Sequence, residues 1–450
     1  MKNIYIKILV FVFVPLIVGC ELEELPNSNA PTIDSFAEGA SQADVQSLAV
    51  GLEAIMRNDL DFHYETVSYL AREYYDLSGT DPRYTGEILK GPLDNNGFLT
   101  TRSFAAWYRV VKAANVLINA VENSAAGFDD EVKNSYYGYA KTLKAYAFLM
   151  LASRQYTNGI RVDVSDPDNL GGFIGYDESL TFIKGLLNEA SIDLSNSPDE
   201  FDFPLSSGFD DLRKPDPDTP GEKLPLSPND FIEFNRALVA RVALYQGDMV
   251  SVLNFLNESF FDLNGGLFIG VAHVFGASGN DILNNLYYVP GQSGQEFVIH
   301  NSWIANAETG DTRVNRKSFL LDEPASFDGL TGTHQISVYK TNTDPVYLIR
   351  NEELILMYAE ANIGTNNTEA INAIDIVRNA AGLLNYSGGT TDNDLLEEVL
   401  NQRRYSLLGE GHRWVDLRRL DRLNSTYVPL DRAGDNIITA FPTPFSENVN

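Results

Sequence analysis

Residues 346–381 read VYLIRNEELILMYAEANIGTNNTEAINAIDIVRNAA, and this stretch indicates the fold of the chain. Its apolar residues recur every three or four positions, the spacing that places side chains on one face of an α-helix. Two helices are predicted, at about 346–363 and 367–381. Small residues at Ala359, Ala361 and Gly364 would let the two helices approach closely. The pair has the size of a helical-hairpin repeat, which is about 34 residues.

Helical patterns fill most of the remaining chain. They begin at about Ser41 and recur in the following stretches: 62–77, 103–122, 129–156, 178–194, 229–246, 393–408 and 412–421. Gly, Pro, Asp and Asn are frequent between them, which indicates long loops at 78–102, 157–177 and 195–227. Residues 260–344 differ, with more Gly and only short β-like runs. The sequence therefore predicts a mainly α fold of helix pairs, long irregular loops and a few short strands.

Length and composition exclude several classes of protein. The chain has 450 residues, enough for about three domains of ~150 residues or for one large core. Its formal charge of −29 argues against nucleic-acid binding and against attachment to anionic lipid through a basic patch. A single cysteine excludes an intramolecular disulfide and a cysteine-based metal site. No pair of the five histidines has the spacing of a metal-binding motif.

The single cysteine follows a stretch with the features of an N-terminal export signal. Lys2 and Lys7 precede an apolar run, Ile4–Val18, that is too short for a membrane span of ~20 residues. The run ends at Gly19-Cys20 and resembles a bacterial lipobox, which implies that residues 1–19 are a lipoprotein signal peptide and that Cys20 carries lipid. An ordinary signal peptide and an uncleaved anchor are the alternatives.

Residues 20–40 are predicted to be a flexible acidic tether that begins at the lipidated Cys20. Glu21, Glu23 and Glu24 resemble the export tag of surface lipoproteins of the Bacteroidetes. The proline- and asparagine-containing run at 26–31 is typical of a linker.

Four stretches of the chain together resemble the SusD/RagB family of outer-membrane nutrient-uptake lipoproteins. They are Trp107-Tyr108 with the later Ala114-Asn115, ALVARVALYQGD at 237–248, LMYAEAN at 356–362 with VRNAAGL at 377–383, and RRYSLLGEGHRWVDLRR at 403–419. The chain departs from the family pattern at Gln402, where Glu is usual, and at Ala380, where Arg is usual.

The resemblance implies a single SusD-like domain over 41–450, built on tetratricopeptide-like helix pairs. The helical scaffold would span 41–258 and 345–423, with an irregular, loop-rich part at 259–344. It also implies a lipid anchor in the outer membrane, exposure at the cell surface, and a SusC-like TonB-dependent transporter as partner. Most members of the family take up glycans and a minority take up peptides.

The charged residues of the last motif are predicted to be structural. Opposite charges one helical turn apart can pair, and partly buried pairs fix the angle between helices. We assign this role to the following group: Arg403, Arg404, Glu410, Arg413, Trp414 and Asp416. Trp107 lies on an apolar helical stripe with Phe104 and Val111, so it is predicted to be a core residue.

Catalysis and cofactor binding have little support in the sequence. There is no GxSxG elbow, P-loop or dinucleotide-binding glycine motif, and 62 carboxylates produce acidic pairs by chance. Asp163, Asp166 and Asp168 form an acidic loop without EF-hand spacing. A calcium ion in that loop is the alternative to a solvated acidic loop, and no cofactor is expected.

Two loop regions combine aromatic residues with Asn, Asp and Arg, the residue types that stack on sugar rings and bond sugar hydroxyls. One runs from Arg72 to Phe98 and the other from Tyr287 to Asp311, and members of the family tend to build their ligand site from these regions. The predicted ligand-binding residues are Tyr74, Tyr75, Asp81, Arg83, Tyr84, Asn96, Tyr288, Asn301 and Trp303. Trp303 and Tyr84 are the leading candidates.

The sequence thus predicts a cell-surface lipoprotein that binds an oligosaccharide and delivers it to a SusC-like transporter, without enzymatic activity. Three alternatives remain open: the same fold binding peptides, a surface glycoside hydrolase, and a structural lid for the transporter with no ligand of its own.

Overall fold

The computed structural model describes residues 39–166, 169–219, 221–279 and 281–448. The predicted signal peptide, Cys20 and almost all of the tether lie outside these residues. The described chain is mainly α-helical, as the sequence predicts. Its helices are α1 (Gln42–Ile55), α2 (Leu60–Leu70), α3 (Glu87–Lys90), α4 (Phe98–Glu122), α5 (Asp130–Gln155), α6 (Tyr176–Ser195), α7 (Pro228–Gln246), α8 (Met249–Asn257), α9 (Asn301–Ala305), α10 (Thr312–Lys317), α11 (Asn351–Asn362), α12 (Asn367–Ala380), α13 (Asp392–Ser406) and α14 (Arg413–Arg419).

Helices that follow one another along the chain pack as pairs. α5 packs between α4 and α6, α7 packs against α6 and α8, and α11 packs against α12. α5 is central and is buried over most of its circumference, as its apolar pattern predicts. Trp107 of α4 is 2% exposed, which confirms its predicted place in this core.

Several helix starts are fixed by polar caps. Ser41, Ser227 and Thr391 each accept a hydrogen bond from the backbone N–H three residues on, while the Asp at that position bonds back to the cap residue. Such capping boxes satisfy two backbone N–H groups that the helix leaves free. They explain why α1, α7 and α13 begin where they do.

Within the described ranges, three small antiparallel sheets complete the fold, built from these strands: β1 (Tyr74–Asp76), β2 (Ile160–Arg161), β3 (Phe173–Ile174), β4 (Gly270–His273), β5 (Phe297–Ile299), β6 (Ser318–Phe327), β7 (Leu330–Ile336) and β8 (Val346–Arg350). One sheet has the order β1-β5-β7-β6, and the others pair β2 with β3 and β4 with β8. β6 and β7 form a hairpin around Asp328-Gly329. Both residues have positive φ, 49° and 78°, as a type I′ turn requires.

Two predicted helices are shorter than expected because strands replace their ends. Residues 346–350 pair with β4, so α11 begins at Asn351 and not at 346. The helix predicted at 62–77 ends at Leu70, since Tyr74–Asp76 pair with β5. In both places, pairing between residues distant in sequence overrides the local apolar pattern.

The C-terminal tail runs across the molecule as a strap. Arg72 donates to Asn436 O at 2.9 Å, Trp414 to Ile438 O at 2.9 Å, and Arg418 to Thr439 O at 2.9 Å. The amide of Asn436 in turn donates to Leu89 O at 2.8 Å. The tail thereby fixes the segment around α3 against the helical scaffold.

Within the described residues, no helix combines the length and the apolar character needed to cross a membrane.

Candidate functional site

The two loop regions singled out from the sequence meet along one short ladder. β1 pairs antiparallel with β5, so that Tyr74 faces Ile299 and Asp76 faces Phe297. The amide of Leu77 extends the ladder by donating to Glu296 O at 2.8 Å. Residues directly opposite in such a ladder share one face of the sheet. Asp76 and Phe297 therefore lie side by side.

The β6–β7 hairpin and the segment before α4 extend this ladder into a continuous surface, which we call the loop face. Its members are Asp76, Ser78, Thr80, Asp81, Arg83, Tyr84, Phe98, Glu296, Asn301, Phe327 and Asp328. Three of them join the surface through neighbouring residues: Asn301 through Thr331 O, Asp328 through the Thr85 hydroxyl, and Phe327 through Gly79.

The turn Asp81-Pro82-Arg83-Tyr84 orients three side chains of the loop face. Asp81 caps it by accepting from the Arg83 amide at 2.9 Å, and Pro82 occupies the first position, where its fixed φ suits a helical turn. The Asp81 carboxylate also binds the Arg83 guanidinium, with N···O distances of 2.6 to 3.2 Å. These hydrogen bonds lower the pKa of Asp81. The ion pair is held in a defined orientation at the surface.

Tyr84 is half-buried, so part of its ring is open to solvent. Its ring lies nearly perpendicular to those of Phe98 and Tyr69, at centroid distances of 5.7 and 6.1 Å. The Arg83 guanidinium covers the Phe98 ring at 4.2 Å. Burial and the nearby charges of Glu65 and Asp76 raise the pKa of Tyr84 to about 12. Its phenol group therefore stays neutral and can both donate and accept hydrogen bonds.

Asp76 supplies a carboxylate at the base of the loop face. It accepts hydrogen bonds from the Ser78 amide at 2.9 Å and from the Ser78 hydroxyl at 2.6 Å. Burial raises the pKa of Asp76, and the negative charges of Glu296 and Asp81 act in the same direction. Asp76 itself is 4% exposed, so Asp81 and Glu296 are the two carboxylates that make this part of the surface acidic.

A buried carboxyl group lies beneath that surface. Tyr288 donates its hydroxyl hydrogen to Glu65 at 2.7 Å, and its ring stacks on Phe297 at 3.9 Å. Burial, reinforced by the charge of Asp61, raises the pKa of Glu65 to about 8. The structure therefore places a proton on Glu65 at neutral pH.

The structure corrects the expected exposure of four aromatic residues. Trp303 is 0% exposed: its ring packs on Tyr405 at 4.9 Å and its indole N–H donates to Arg404 O at 3.3 Å. The Trp303 ring is buried because α9 lies against α13. Tyr74, Tyr75 and Tyr288 are also buried, on β1 and in the loop before β5. None of these rings presents an open face to a ligand in this structure.

The buried tyrosine Tyr75 instead organises a polar contact with the C-terminal strap. Its hydroxyl donates to Asp431 at 2.5 Å, and His300 Nε2 lies 3.1 Å from the same carboxylate. His300 Nδ1 accepts from the Ser302 amide at 3.1 Å and so caps α9. These contacts attach the strap to the strand that carries the loop face.

The two predicted asparagines are both exposed but are placed differently. Asn301 Nδ2 donates to Thr331 O at 3.0 Å, which joins α9 to the β6–β7 hairpin within the loop face. Asn96 lies in the turn before α4, where its backbone amide donates to Asp94 at 2.9 Å. The structure brings Asn301, Asp81, Arg83 and Tyr84 into one surface, whereas Asn96 stands in the neighbouring turn.

The tip of the β6–β7 hairpin is a part of the surface that sequence reasoning missed. Asp328 accepts from the Thr85 hydroxyl at 3.1 Å and from Arg432 at 2.5 Å. The Phe327 ring packs over Gly79, where a Cβ would lie only 3.1 Å from the ring and φ is +72°. Asp328-Gly329 between two β-prone runs was the available signal, since this dipeptide is typical of a two-residue hairpin turn.

The six residues of the C-terminal motif make scaffold contacts. Arg403 pairs with Asp416 at 2.6 Å, and Glu410 pairs with Arg350 at 2.8 Å. The remaining three donate as follows: Arg404 to the Ser302 hydroxyl at 2.7 Å, Arg413 to Tyr427 O at 3.0 Å, and Trp414 to Ile438 O at 2.9 Å.

A small cavity in the helical scaffold is unsuited to a sugar, and the described acidic residues are unsuited to a metal ion. A cavity of about 20 Å³, lined among others by Arg154, Arg241 and His412, has room for about one water-sized molecule and not for a sugar ring. Across the described ranges, no group of three or more His, Cys, Asp and Glu side chains is arranged to hold a metal ion. Asp168 of the acidic loop lies outside those ranges.

Comparison with known proteins finds a family whose model matches the C-terminal part of the chain. The model of the SusD family (SusD_RagB) matches residues 282–447, which include β5, the β6–β7 hairpin and α11–α14. The C-terminal part of the chain is thus similar to the SusD/RagB family. SusD-like protein P38 of Formosa agariphila is 32% identical over 143 residues, and that match spans 28% of this chain and 28% of the relative.

Two solved structures share the fold over about nine-tenths of the chain. A SusD superfamily protein of Bacteroides vulgatus has a TM-score of 0.65 at 15% identity, with 90% of this chain and 96% of that one covered. Surface glycan-binding protein A of Bacteroides thetaiotaomicron, solved in complex with laminarihexaose, has a TM-score of 0.65 at 13% identity, with 91% and 97% covered. At these identities the likenesses show that the fold is shared over about nine-tenths of the chain.

Proposed function

We propose that this protein binds an oligosaccharide at the loop face. The observation that carries the proposal is the β1–β5 ladder, which brings both polar, aromatic loop regions onto one surface. There the half-buried Tyr84 offers a ring to the C–H face of a sugar. Asp81, Arg83 and Asn301 offer acceptors and donors to its hydroxyl groups. A structural neighbour solved in complex with laminarihexaose supports a glycan as the class of ligand.

We further propose that the protein acts at the cell surface as a lipid-anchored lipoprotein. The lipobox-like sequence ending at Cys20 and the acidic residues behind it support an anchor in the outer membrane, facing outwards. The similarity of residues 282–447 to the SusD family supports delivery of the captured sugar to a SusC-like TonB-dependent transporter. In this role the protein binds and releases its cargo, and no covalent chemistry is required of it.

A glycan screen with matched variants tests the binding proposal. Affinity electrophoresis in gels containing single polysaccharides would use the chain without its first 20 residues, which lie outside the described fold. We expect retardation on at least one polysaccharide, and an affinity at least tenfold weaker in Tyr84→Ala, equivalent to about 1.4 kcal/mol. The lost ring face is the physical reason.

Two other variants serve as controls. Tyr386→Ala removes a half-buried tyrosine in the loop between α12 and α13, so it should bind like the parent protein. Trp303→Phe changes a buried ring, so it should lower stability and leave affinity unchanged. Equal binding by Tyr84→Ala and Tyr386→Ala would place the ligand elsewhere, and binding to peptides alone would replace the glycan.

A further inference from the structure

The basic side chains around the loop face are already neutralised by carboxylates. Arg83 pairs with Asp81 at 2.6 Å. Arg102, one turn after Phe98 on α4, pairs with Asp59 at 2.6 Å and also interacts with the charge of Asp61, while Arg109 shares Asp59 at 3.0 Å. Arg432 contacts two carboxylates, Asp328 at 2.5 Å and Asp435 at 2.8 Å, and Lys90 lies 3.6 Å from Asp328. Among the described residues, we find no basic group of this surface that is left over to receive an anionic ligand.

The same surface holds carboxylates that hydrogen-bond only to neutral donors. Asp76 accepts from Ser78, and Glu296 accepts from the Gly294 amide at 2.9 Å. A ligand carboxylate or sulfate placed here would meet negative charge without a matching cation. It would also have to break the bond between Arg83 and Asp81 to gain a partner. Sugar hydroxyls, in contrast, can donate directly to the half-buried Glu296, whereas Asp76 is 4% exposed and lies beneath the surface.

We propose that the loop face selects neutral oligosaccharides and disfavours those that carry carboxylate or sulfate groups. This inference rests on the proposed glycan-binding function and names its substrate class. Repulsion of charged oligosaccharides contributes to this selection as well as attraction of neutral ones. The pair formed by Asp81 and Arg83 is its main element, because a freed Arg83 would be able to bind an anion bidentately.

The experiment compares neutral polysaccharides with their own charged derivatives. Laminarin, xylan, galactomannan and starch would each be tested beside a carboxymethylated form, with a hydroxyethylated form of similar substitution as the steric control. We expect the parent polysaccharide and the hydroxyethyl form to bind at least tenfold more tightly than the carboxymethyl form. That preference should shrink in 0.5 M NaCl, since salt screens exposed charges beyond ~4–5 Å at this concentration.

A matched pair of variants locates the selection. Asp81→Asn removes the charge that neutralises Arg83 but keeps a side chain able to cap the turn. It should raise affinity for the carboxymethyl form at least fivefold. Asp129→Asn makes the same change at the cap of α5, in the helical scaffold, and should alter nothing.

Each outcome separates this inference from the proposed function. Tighter binding of a carboxymethyl form by the parent protein would overturn neutral selectivity and leave glycan binding standing. A neutral preference that Asp81→Asn leaves unchanged would overturn the role of the ion pair. Binding to none of the polysaccharides would overturn both proposals.

Discussion

Two arginine–carboxylate pairs of the same length behave differently in the two parts of the molecule. Arg241 of α7 and Glu353 of α11 lie 2.6 Å apart, and each side chain is 2% exposed. Arg83 and Asp81 of the loop face also lie 2.6 Å apart, but their side chains are 50% and 25% exposed. Each pair joins an arginine to a carboxylate, Glu in one and Asp in the other, at the same distance. Burial is therefore the main difference between a contact that holds helices together and one that a ligand can reach.

Burial changes what each pair contributes to stability. Inside the scaffold the loss of one partner leaves an uncompensated charge in a poorly polarisable environment, which is strongly destabilising. Burial alone would raise the pKa of Glu353, but the charge of Arg241 lowers it to about 2. At the surface, water and salt screen the charges, so the pair adds little to folding. We therefore expect a change in the buried pair to lower stability and leave binding unchanged. A change in the exposed pair should instead lower binding and leave stability unchanged.

The largest effect is expected from Arg241→Ala. It leaves Glu353 buried without its partner and also removes the hydrogen bond to Leu348 O at 2.6 Å. The free energy of unfolding should fall by about 3–5 kcal/mol, measured by urea denaturation. Glycan affinity should be unchanged under conditions in which the variant is folded.

A double variant sharpens this result. Arg241→Met with Glu353→Leu replaces both charges by apolar groups and should recover much of the lost stability. If the double variant is as unstable as Arg241→Ala, packing at α7 rather than the unpaired carboxylate accounts for the loss.

A smaller, pH-dependent effect is expected at Glu65, which lies between the two regions. Its carboxyl group keeps a proton in the folded state, where its pKa is about 8, but loses it in the unfolded chain near pH 4.3. The unfolded state therefore binds fewer protons between these values, and stability falls as pH rises from about 5 to 8. Glu65→Gln, which retains an acceptor for Tyr288, should remove this part of the decline.

Urea denaturation at pH 5 and pH 8 measures that difference. Glu73, whose pKa burial raises to about 7, adds a decline of the same sign that the Glu65 variant keeps. Glu131→Gln, an exposed change at the start of α5, should follow the parent protein at both pH values. Parallel pH profiles for Glu65→Gln and the parent would show that Glu65 is ionised in the folded protein.

The helical scaffold was predictable because its information is local. The stripe on α4 and the continuous apolar surface of α5 follow from the sequence around each residue, and Trp107 lies in the core as its stripe predicts. Strands were predicted less well, since β1 and β8 exist through pairing with β5 and β4, which lie far away in the sequence. The apolar periodicity around β1 and β8 predicts helix, although both segments are strands.

The candidate site was predictable as two regions but not residue by residue. Tyr84 is half-buried, as expected of a tyrosine among Asp, Pro, Arg, Thr and Gly. Trp303 stands in a similarly polar stretch, yet it packs on Tyr405 of α13, a residue about 100 positions away. Whether a loop aromatic is exposed depends on which distant helix lies beneath it, and one sequence does not contain that information in local form.

The smallest effect is expected from Arg83→Ala, and it tests the surface half of the comparison most directly. Its side chain is half exposed, and its partner Asp81 still caps the turn through the backbone amide at position 83. The urea midpoint should therefore equal that of the parent protein within error. Glycan affinity should fall, because the variant loses the donors offered to sugar hydroxyls and uncovers Phe98. A clear loss of stability with unchanged affinity would mean that the exposed pair serves folding, and burial would then no longer distinguish the two regions.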